Sequence, residues 1–459
     1  MIGPRRVVQI NTSDTGGGAE RIALVLHAAY RAAGWSARLL VGHRSTTLPG
    51  VEAIPGDAAR AAPARAAVAA ARRLGPHAAH LAQAVSAAAQ PIRSSQRLLG
   101  LEDFHSPGTV AATRAAADAD LVHAHNLHGG YFDLRQLGAL TDAAPLLLTL
   151  HDAWMLSGHC GHSMGCQRWR TGCGQCPDLS IYPAVRRDAT ALNFRRKSGI
   201  YRRTRGFRVA TPSRWLLDEV LDSMLAEHVV ESRVVHNGVD TETFGVRDAA
   251  AARHRLGLPL DARVVLAVGS GLRANPFKDF PVLDAALRRL AQQPGTPPTV
   301  ALLLGDDHPD VAVGPVTMRY VGGTTDVEQV AAYYNAADVL VHAARADTFP
   351  TAVLEALASG VPVIASAVGG IPEQIHSEGA TGSGATEPTG VLVPPGDPVA
   401  LATALADLLA DDGRRHRLGA AAARDARDRF DAQRQTSVYV DWAEEIVAES
   451  AHSGPRDSG

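Results

Sequence analysis

The sequence predicts an α/β protein made of two doubly wound parallel-sheet domains. Short Val, Leu and Ile runs without polar alternation, the mark of strands buried on both faces, recur through all 459 residues. Helical patterns separate them, and strand–helix alternation with both faces covered gives parallel sheets. Each of two sets opens on a strand that runs into a glycine-bearing turn, so both domains read as Rossmann-like.

In the first set the strands are RVVQIN (6–11), ARLLVG (37–42), ADLVHAH (119–125), PLLLTLH (145–151) and FRVAT (207–211). The second set comprises RVVLAVG (263–269), TVALLLG (299–305), MRYVGG (318–323), ADVLVHA (337–343), VPVIAS (361–366) and GVLVP (390–394). Residues 20–33 and 327–337 carry helical apolar spacing between strands. The expected division is an amino-terminal domain over 1–236 and a carboxyl-terminal domain over 237–432. Over 433–459, a helix bearing Tyr439, Trp442 and Ile446 returns to the first domain and ends in a disordered tail. Two segments depart from the alternation: an Ala/Arg-rich helical excursion at 55–100 and a cysteine-rich insertion at 154–177.

Charge and composition exclude several classes. A net charge of -2 gives no overall field to hold nucleic acid. No apolar run approaches the roughly 18 residues of a membrane helix. Arg5 and Arg6 lead straight into a strand, without a cleavable apolar stretch. The expected location is the cytoplasm, with contact at the inner membrane face possible. The basic run Arg195, Arg196, Lys197, Arg202, Arg203, Arg205 and Arg208 reads as a solvated helix face or a surface for anionic lipid.

The residues that carry chemistry cluster after strands. Gly16, Gly17 and Gly18 lie before a helix whose first amides would attract anions, though without the spaced dinucleotide fingerprint. Lys278, one of only two lysines, follows a strand and a glycine turn together with Arg273. An ammonium beside a guanidinium suits a diphosphate. In 347–355, Asp347 precedes a short helix opened by Phe349, Pro350 and Thr351, with Glu355 about a turn inside it. A carboxylate accepts sugar hydroxyls while helix amides hold phosphate, so the segment spells a nucleotide sugar.

These residues resemble the donor site of retaining glycosyltransferases of the GT-B fold, family four type. The resemblance rests on the acidic Asp347 with seven residues between it and Glu355, on 361–373 through Gly369-Gly370-Ile371-Pro372-Glu373, on Asn237-Gly238-Val239-Asp240 with Phe244, and on Lys278. It implies two domains facing a cleft. It also implies transfer of a sugar from a nucleoside-diphosphate sugar to an acceptor hydroxyl with retention. In that reading Glu355 holds the ribose, Lys278 the diphosphate, and Asp347 with the loop through Pro350 lies beside the donor sugar. Gly17 and Gly18 join the donor site. Ser270 stands where the family often has Arg, which leaves Arg273 as a substitute. No catalytic cofactor is implied. The acceptor would be a sugar, a lipid-linked group or a small molecule, in polysaccharide or glycoconjugate synthesis. An epimerase, a glycoside phosphorylase and a non-catalytic sugar-nucleotide binder are the alternatives.

His151 ends the run PLLLTLH, at the carboxyl edge of a parallel sheet where ligands bind. The resemblance gives it a place near the reaction centre, with Asp152 and His125 on the acceptor side. His123 and His128 are further candidates there. Cys160, Cys166, Cys173 and Cys176 have the spacing C-x5-C-x6-C-x2-C, which suits a structural zinc site. Disulfides, packed thiols or an iron–sulfur cluster are the alternatives. The insertion resembles that of exopolysaccharide glycosyltransferases of the colanic-acid type. Asp118 and Asp120 read as helix and strand capping, not as metal ligands.

Overall fold

The computed structural model describes residues 4–55, 91–102, 106, 108–378 and 387–452. Most of the expected Ala/Arg-rich excursion and the tail after His452 lie outside the described residues. Two compact units are formed. The first holds the residues up to Pro212, Leu216–Val235 and those from Thr436 on, and the second holds Ser213–Trp215 and His236–Gln435.

In the first unit seven strands, β1 (Arg6–Ser13), β2 (Ser36–His43), β3 (Val51–Ala53), β4 (Leu121–Ala124), β5 (Leu146–Thr149), β6 (Phe207–Thr211) and β7 (Val229–Val234), pair in the order 3-2-1-4-5-6-7. All neighbours are parallel. The chain reverses its winding at β1, so the crevice outside the carboxyl ends of β1 and β4 is the natural ligand position. One core cluster packs Val7, Leu121 and Leu147 of the sheet with Ile22, Leu26 and Tyr30 of the helix Gly18–Ala32. Tyr439, Trp442 and Ile446 of the carboxyl-terminal helix complete that cluster. The Tyr439 hydroxyl lies 3.1 Å from Thr149 Oγ1, and Trp442 donates to Glu231 at 3.0 Å, so these aromatic side chains bury their rings and keep their polar ends paired.

The second unit holds β8 (Arg263–Val268), β9 (Thr299–Leu304), β10 (Val311–Val313), β11 (Val316–Val321), β12 (Val339–His342), β13 (Val363–Ser366) and β14 (Gly390–Val393). Their order is 10-11-9-8-12-13-14, parallel except for the β10–β11 pair. Val264 and Leu266 enter one core cluster while Val265 and Ala267 enter another, so successive residues of β8 bury opposite faces. This is why its run carries no polar alternation.

Three strands fall outside the runs read from sequence, and each is an edge or next to one. β3 and β10 have three residues each, and β7 is partly exposed along most of its length. Edge strands need no continuous apolar run, so the signal that found the central strands is absent. Among the described residues no helix is long and apolar enough to cross a membrane.

The solvated reading of the basic run fails at Lys197. Its side chain is completely buried, bonded to the carbonyls of Trp154 and Ser157 at 2.7 and 3.0 Å and to Glu102 at 2.9 Å. Arg205 and Arg208 are held by Asp142 and Glu449.

Candidate functional site

The carboxyl ends of β8 and β12 flank the winding reversal of the second sheet, and the loops after these strands are tied together. Lys278 forms an antiparallel bridge with Ala344, Asp279 N–H donates to the Ala343 carbonyl at 3.1 Å, and Arg345 N–H donates to Phe277 at 3.0 Å. This backbone pairing sets Lys278 against Asp347: the ammonium donates to Oδ2 at 2.6 Å. His342, the last residue of β12, places Nε2 3.1 Å from the same carboxylate oxygen and 3.3 Å from Lys278 Nζ. Burial would raise the Asp347 carboxyl, but the Lys278 charge and the His342 ring outweigh it and hold it well below the ordinary range. Burial, with Lys278 beside it, pushes His342 down and keeps it neutral. Sequence reasoning missed His342, because within a buried apolar run one histidine looks like a core residue.

The helix Thr351–Ala358 starts immediately beyond, with Pro350 as its cap residue and Gly360 in a left-handed conformation after its end. Phe349 is buried, stacked at 4.9 Å on His236, and its carbonyl accepts from Asn237. The ring therefore anchors the loop in the core and leaves only backbone for a ligand. Glu355 is also buried, and Tyr334 donates its hydroxyl to Oε2 at 2.7 Å. Arg273 is not drawn into the Lys278–Asp347 contact. It is exposed, its amide is capped by Asp306 at 2.9 Å, and its guanidinium lies over Tyr320.

Gly369 fixes the other wall of the loop. At φ +55° it adopts a left-handed conformation, and a Cβ there would stand 1.9 Å from the Asp347 carbonyl oxygen. Gly369→Ala should cost clearly more than Gly271→Ala, whose φ is +59° with nothing within 4 Å. Backbone strain alone accounts for about 1 kcal/mol or somewhat more at either position. Thermal unfolding of the two variants checks this, and equal losses would mean that the approach to Asp347 carries no weight.

In the first unit the expected acceptor-side residues follow β4 and β5. His125 Nδ1 lies 3.1 Å from His151 Nε2, with the rings stacked at 5.4 Å. Burial pushes His151 down to about 4, so the ring is neutral at pH 7 and can exchange one hydrogen bond without charge. Burial takes His125 well down too. His123 is fully buried between Tyr30 and Thr149, which its two nitrogens contact at 3.0 and 2.8 Å.

Asp152 is hydrogen-bonded to His128: Nε2 lies 2.8 Å from Oδ2. Burial opposes charging His128, but Asp152 overcomes it and raises the imidazole above its ordinary value. A raised folded value means that this pair stabilises the fold fully below about pH 6.5 and loses the contribution as pH climbs through the raised value. Asp152→Asn should therefore lower the melting temperature most near pH 6, by roughly 2–4 °C. The gap should narrow towards pH 9; a gap independent of pH would remove His128 as its source.

Two expectations need correction. The amide of Gly17 is not open: Glu20 caps it through Oε2 at 2.9 Å, and Gly18 begins the helix behind it. The zinc expectation is not supported either. Cys160, Cys166, Cys173 and Cys176 do line one cavity, yet among the described residues no three His, Cys, Asp or Glu side chains are grouped to hold a metal ion. Cys173 Sγ accepts from Gly158 N–H at 3.2 Å, and Cys176 Sγ lies 3.3 Å from His159 Nε2. Burial raises the Cys160 thiol to about 11 and moves Cys173 and Cys176 the same way. All four are free packed thiols, and the insertion is held instead by Lys197.

With this geometry in view, comparison with known proteins is informative. Residues 262–411 match the family model for glycosyl transferases group 1. That match covers β8 to the helix after β14, and so contains Lys278, His342, Asp347 and Glu355. The WcaC protein of Escherichia coli K12, named for colanic acid biosynthesis, is 28% identical over 270 residues, 55% of this chain and 61% of its own length. A D-inositol 3-phosphate glycosyltransferase of Kineococcus radiotolerans is 37% identical over 208 residues, 42% of this chain and 47% of its own. The chain thus spans about half to three-fifths of these curated relatives. Among solved structures, sucrose-phosphate synthase from Thermosynechococcus elongatus superposes with a TM-score of 0.64 at 22% identity, covering 97% of this chain and 100% of that one. Anabaena HepE in complex with UDP gives 0.61 at 18% identity, covering 96% and 100%. At these identities the likeness concerns the fold, and the architecture is GT-B: two parallel-stranded sheets with helices on both faces.

Proposed function

We propose that the protein transfers a sugar from a nucleoside-diphosphate sugar to an acceptor hydroxyl with retention at the anomeric carbon, in polysaccharide or glycoconjugate synthesis. The observation that carries this reading is the Lys278–Asp347 contact at the winding reversal of the second sheet, where open α/β folds bind ligands. Lys278 faces the diphosphate and neutralises the charge that grows on the leaving group as the glycosidic bond breaks. Asp347 holds the ammonium in place and lies beside the donor sugar. The first amides of the helix Thr351–Ala358 add donors to the phosphates. Glu355, braced by Tyr334, accepts the ribose hydroxyls.

In the first unit, neutral His151, backed by His125, offers a hydrogen bond to a sugar hydroxyl. Asp152 acts on the acceptor side through His128. Chemistry of this kind needs no resident cofactor from these residues. A cytoplasmic enzyme working on a lipid-linked acceptor would meet the inner membrane face, and exposed Arg195, Arg202 and Arg203 support that setting.

Thermal-shift screening against UDP-, GDP-, ADP- and dTDP-sugars tests the reading. HepE was solved with UDP and with UDP-glucose, so the uridine compounds come first. A ligand present at 100 times its Kd stabilises the native state by about 2.7 kcal/mol. One nucleotide-sugar series should raise the melting temperature, and Lys278→Ala should only reduce the rise. No rise with any series would sink the reading.

A further inference from the structure

Four rings of the first unit stack in a row that ends at His151. Tyr439 of the carboxyl-terminal helix Ala432–His452 lies on His123 at 5.4 Å, His123 on His125 at 4.4 Å, and His125 on His151 at 5.4 Å, with successive planes 28°, 29° and 18° apart. We infer that Tyr439, Thr149 and His123 are positioning residues that fix the imidazole of His151. The inference rests on the glycosyltransfer reading, which sets His151 against a sugar hydroxyl, and it adds the carboxyl-terminal helix to the reaction site.

Hydrogen bonds anchor the row at His123. Its ring is tied at both nitrogens, Nδ1 3.0 Å from the Tyr30 hydroxyl and Nε2 2.8 Å from Thr149 Oγ1. Thr149 Oγ1 lies in turn 3.1 Å from the Tyr439 hydroxyl, so the helix holds the anchor as well as the outer ring. His125 has no such pair of ties. Its Nδ1 lies 3.1 Å from His151 Nε2, while its buried Nε2 has no hydrogen-bond partner among the described residues. A single hydrogen bond does not fix the tilt of a ring, so the plane of His125 comes from the face of His123. Burial pushes His123 down to about 3 and takes His125 well down, so both rings are neutral and no like charge opposes the stack. His151 therefore receives a contact of fixed direction. In a neutral imidazole the bond made by one nitrogen decides which nitrogen carries the proton, and so what the ring offers to a sugar hydroxyl.

Nitrogen NMR of protein carrying isotope-labelled histidine tests this, with the His151 signals assigned by their loss in His151→Gln. Wild type should show His151 as one tautomer. Thr149→Val and Tyr439→Leu should each move it to a mixture, while Thr149→Ser, which keeps the hydroxyl, should restore the single form. With the donor that thermal shift identifies, Thr149→Val should lower kcat for nucleotide release by about tenfold, because a small misplacement of a positioned group is costly, and leave KM for the donor nearly unchanged. A mixture already present in wild type, His151 signals unmoved in either Thr149→Val or Tyr439→Leu, no recovery in Thr149→Ser, or an unchanged kcat would each overturn the inference. If Tyr439→Leu does not fold, the two Thr149 variants decide. Thermal shift of the wild type separates the two claims. If a nucleotide sugar raises the melting temperature while His151 stays fixed in the variants, only the positioning falls; if none does, the transfer reading falls and the inference with it.

Discussion

Lys278→Ala should lower sugar-transfer turnover by about two to three orders of magnitude, the effect of removing one preorganised donor to a charge that develops in the transition state. The native ammonium is held 2.6 Å from Asp347 and is only 16% exposed, so water cannot replace it cheaply. The loss should fall mainly on kcat, because the charge on the diphosphate grows as the sugar leaves. Binding of the intact donor should weaken less. Lys278→Arg should recover little: a planar guanidinium cannot occupy the compact position between Asp347 and His342. Steady-state kinetics with the donor identified by screening checks this. A change below about threefold in kcat/KM, with the fold intact, would remove Lys278 from the reaction.

Lys197→Ala should destabilise the first unit by about 3–5 kcal/mol, the cost of leaving the other half of a buried ion pair uncompensated. Burial pulls Lys197 down and pushes Glu102 up, and their mutual attraction is the main effect opposing it. Removal of the ammonium therefore strands a carboxylate that is 5% exposed. The Lys197 ammonium also lies 3.7 Å from the Trp154 ring centroid, so tryptophan fluorescence reports the loss during urea unfolding. A Lys197→Met/Glu102→Leu double variant removes both charges and should recover much of the stability. If the double variant is as unstable as the single, packing around Trp154 is the cause and the ion pair is not.

Much of the fold was legible because the central strands are buried on both faces. Runs such as RVVLAV and TVALLL cannot be amphipathic, and their spacing with helices leaves a parallel sheet as the solution. The candidate donor residues were legible for a related reason: Lys278 is rare in an arginine-dominated chain, and Asp347 and Glu355 bracket a helix start. His342 was not legible, since its meaning comes from the β12 register that brings it to Asp347. Lys197 was misread because its neighbours are arginines, while its helix turns it alone into the interior. The cysteines were misread because spacing can bring thiols to one cavity without setting three of them close enough to share an ion.

By itself, then, the sequence determined the α/β class, both parallel sheets, the segments that carry the candidate chemistry and the return of Tyr439 and Trp442 to the first unit. Those features follow from local periodicity and from apolar residues that must be buried somewhere. Tertiary structure alone decided that Asp152 serves His128, that Glu20 closes the Gly17 amide, that Lys197 pins the cysteine insertion and that the thiols stay free. Each of these is a short polar contact between groups that sequence order leaves unspecified. Hydrogen bonds and ion pairs act over about 3 Å, so their partners are chosen only after packing has brought distant residues to that range.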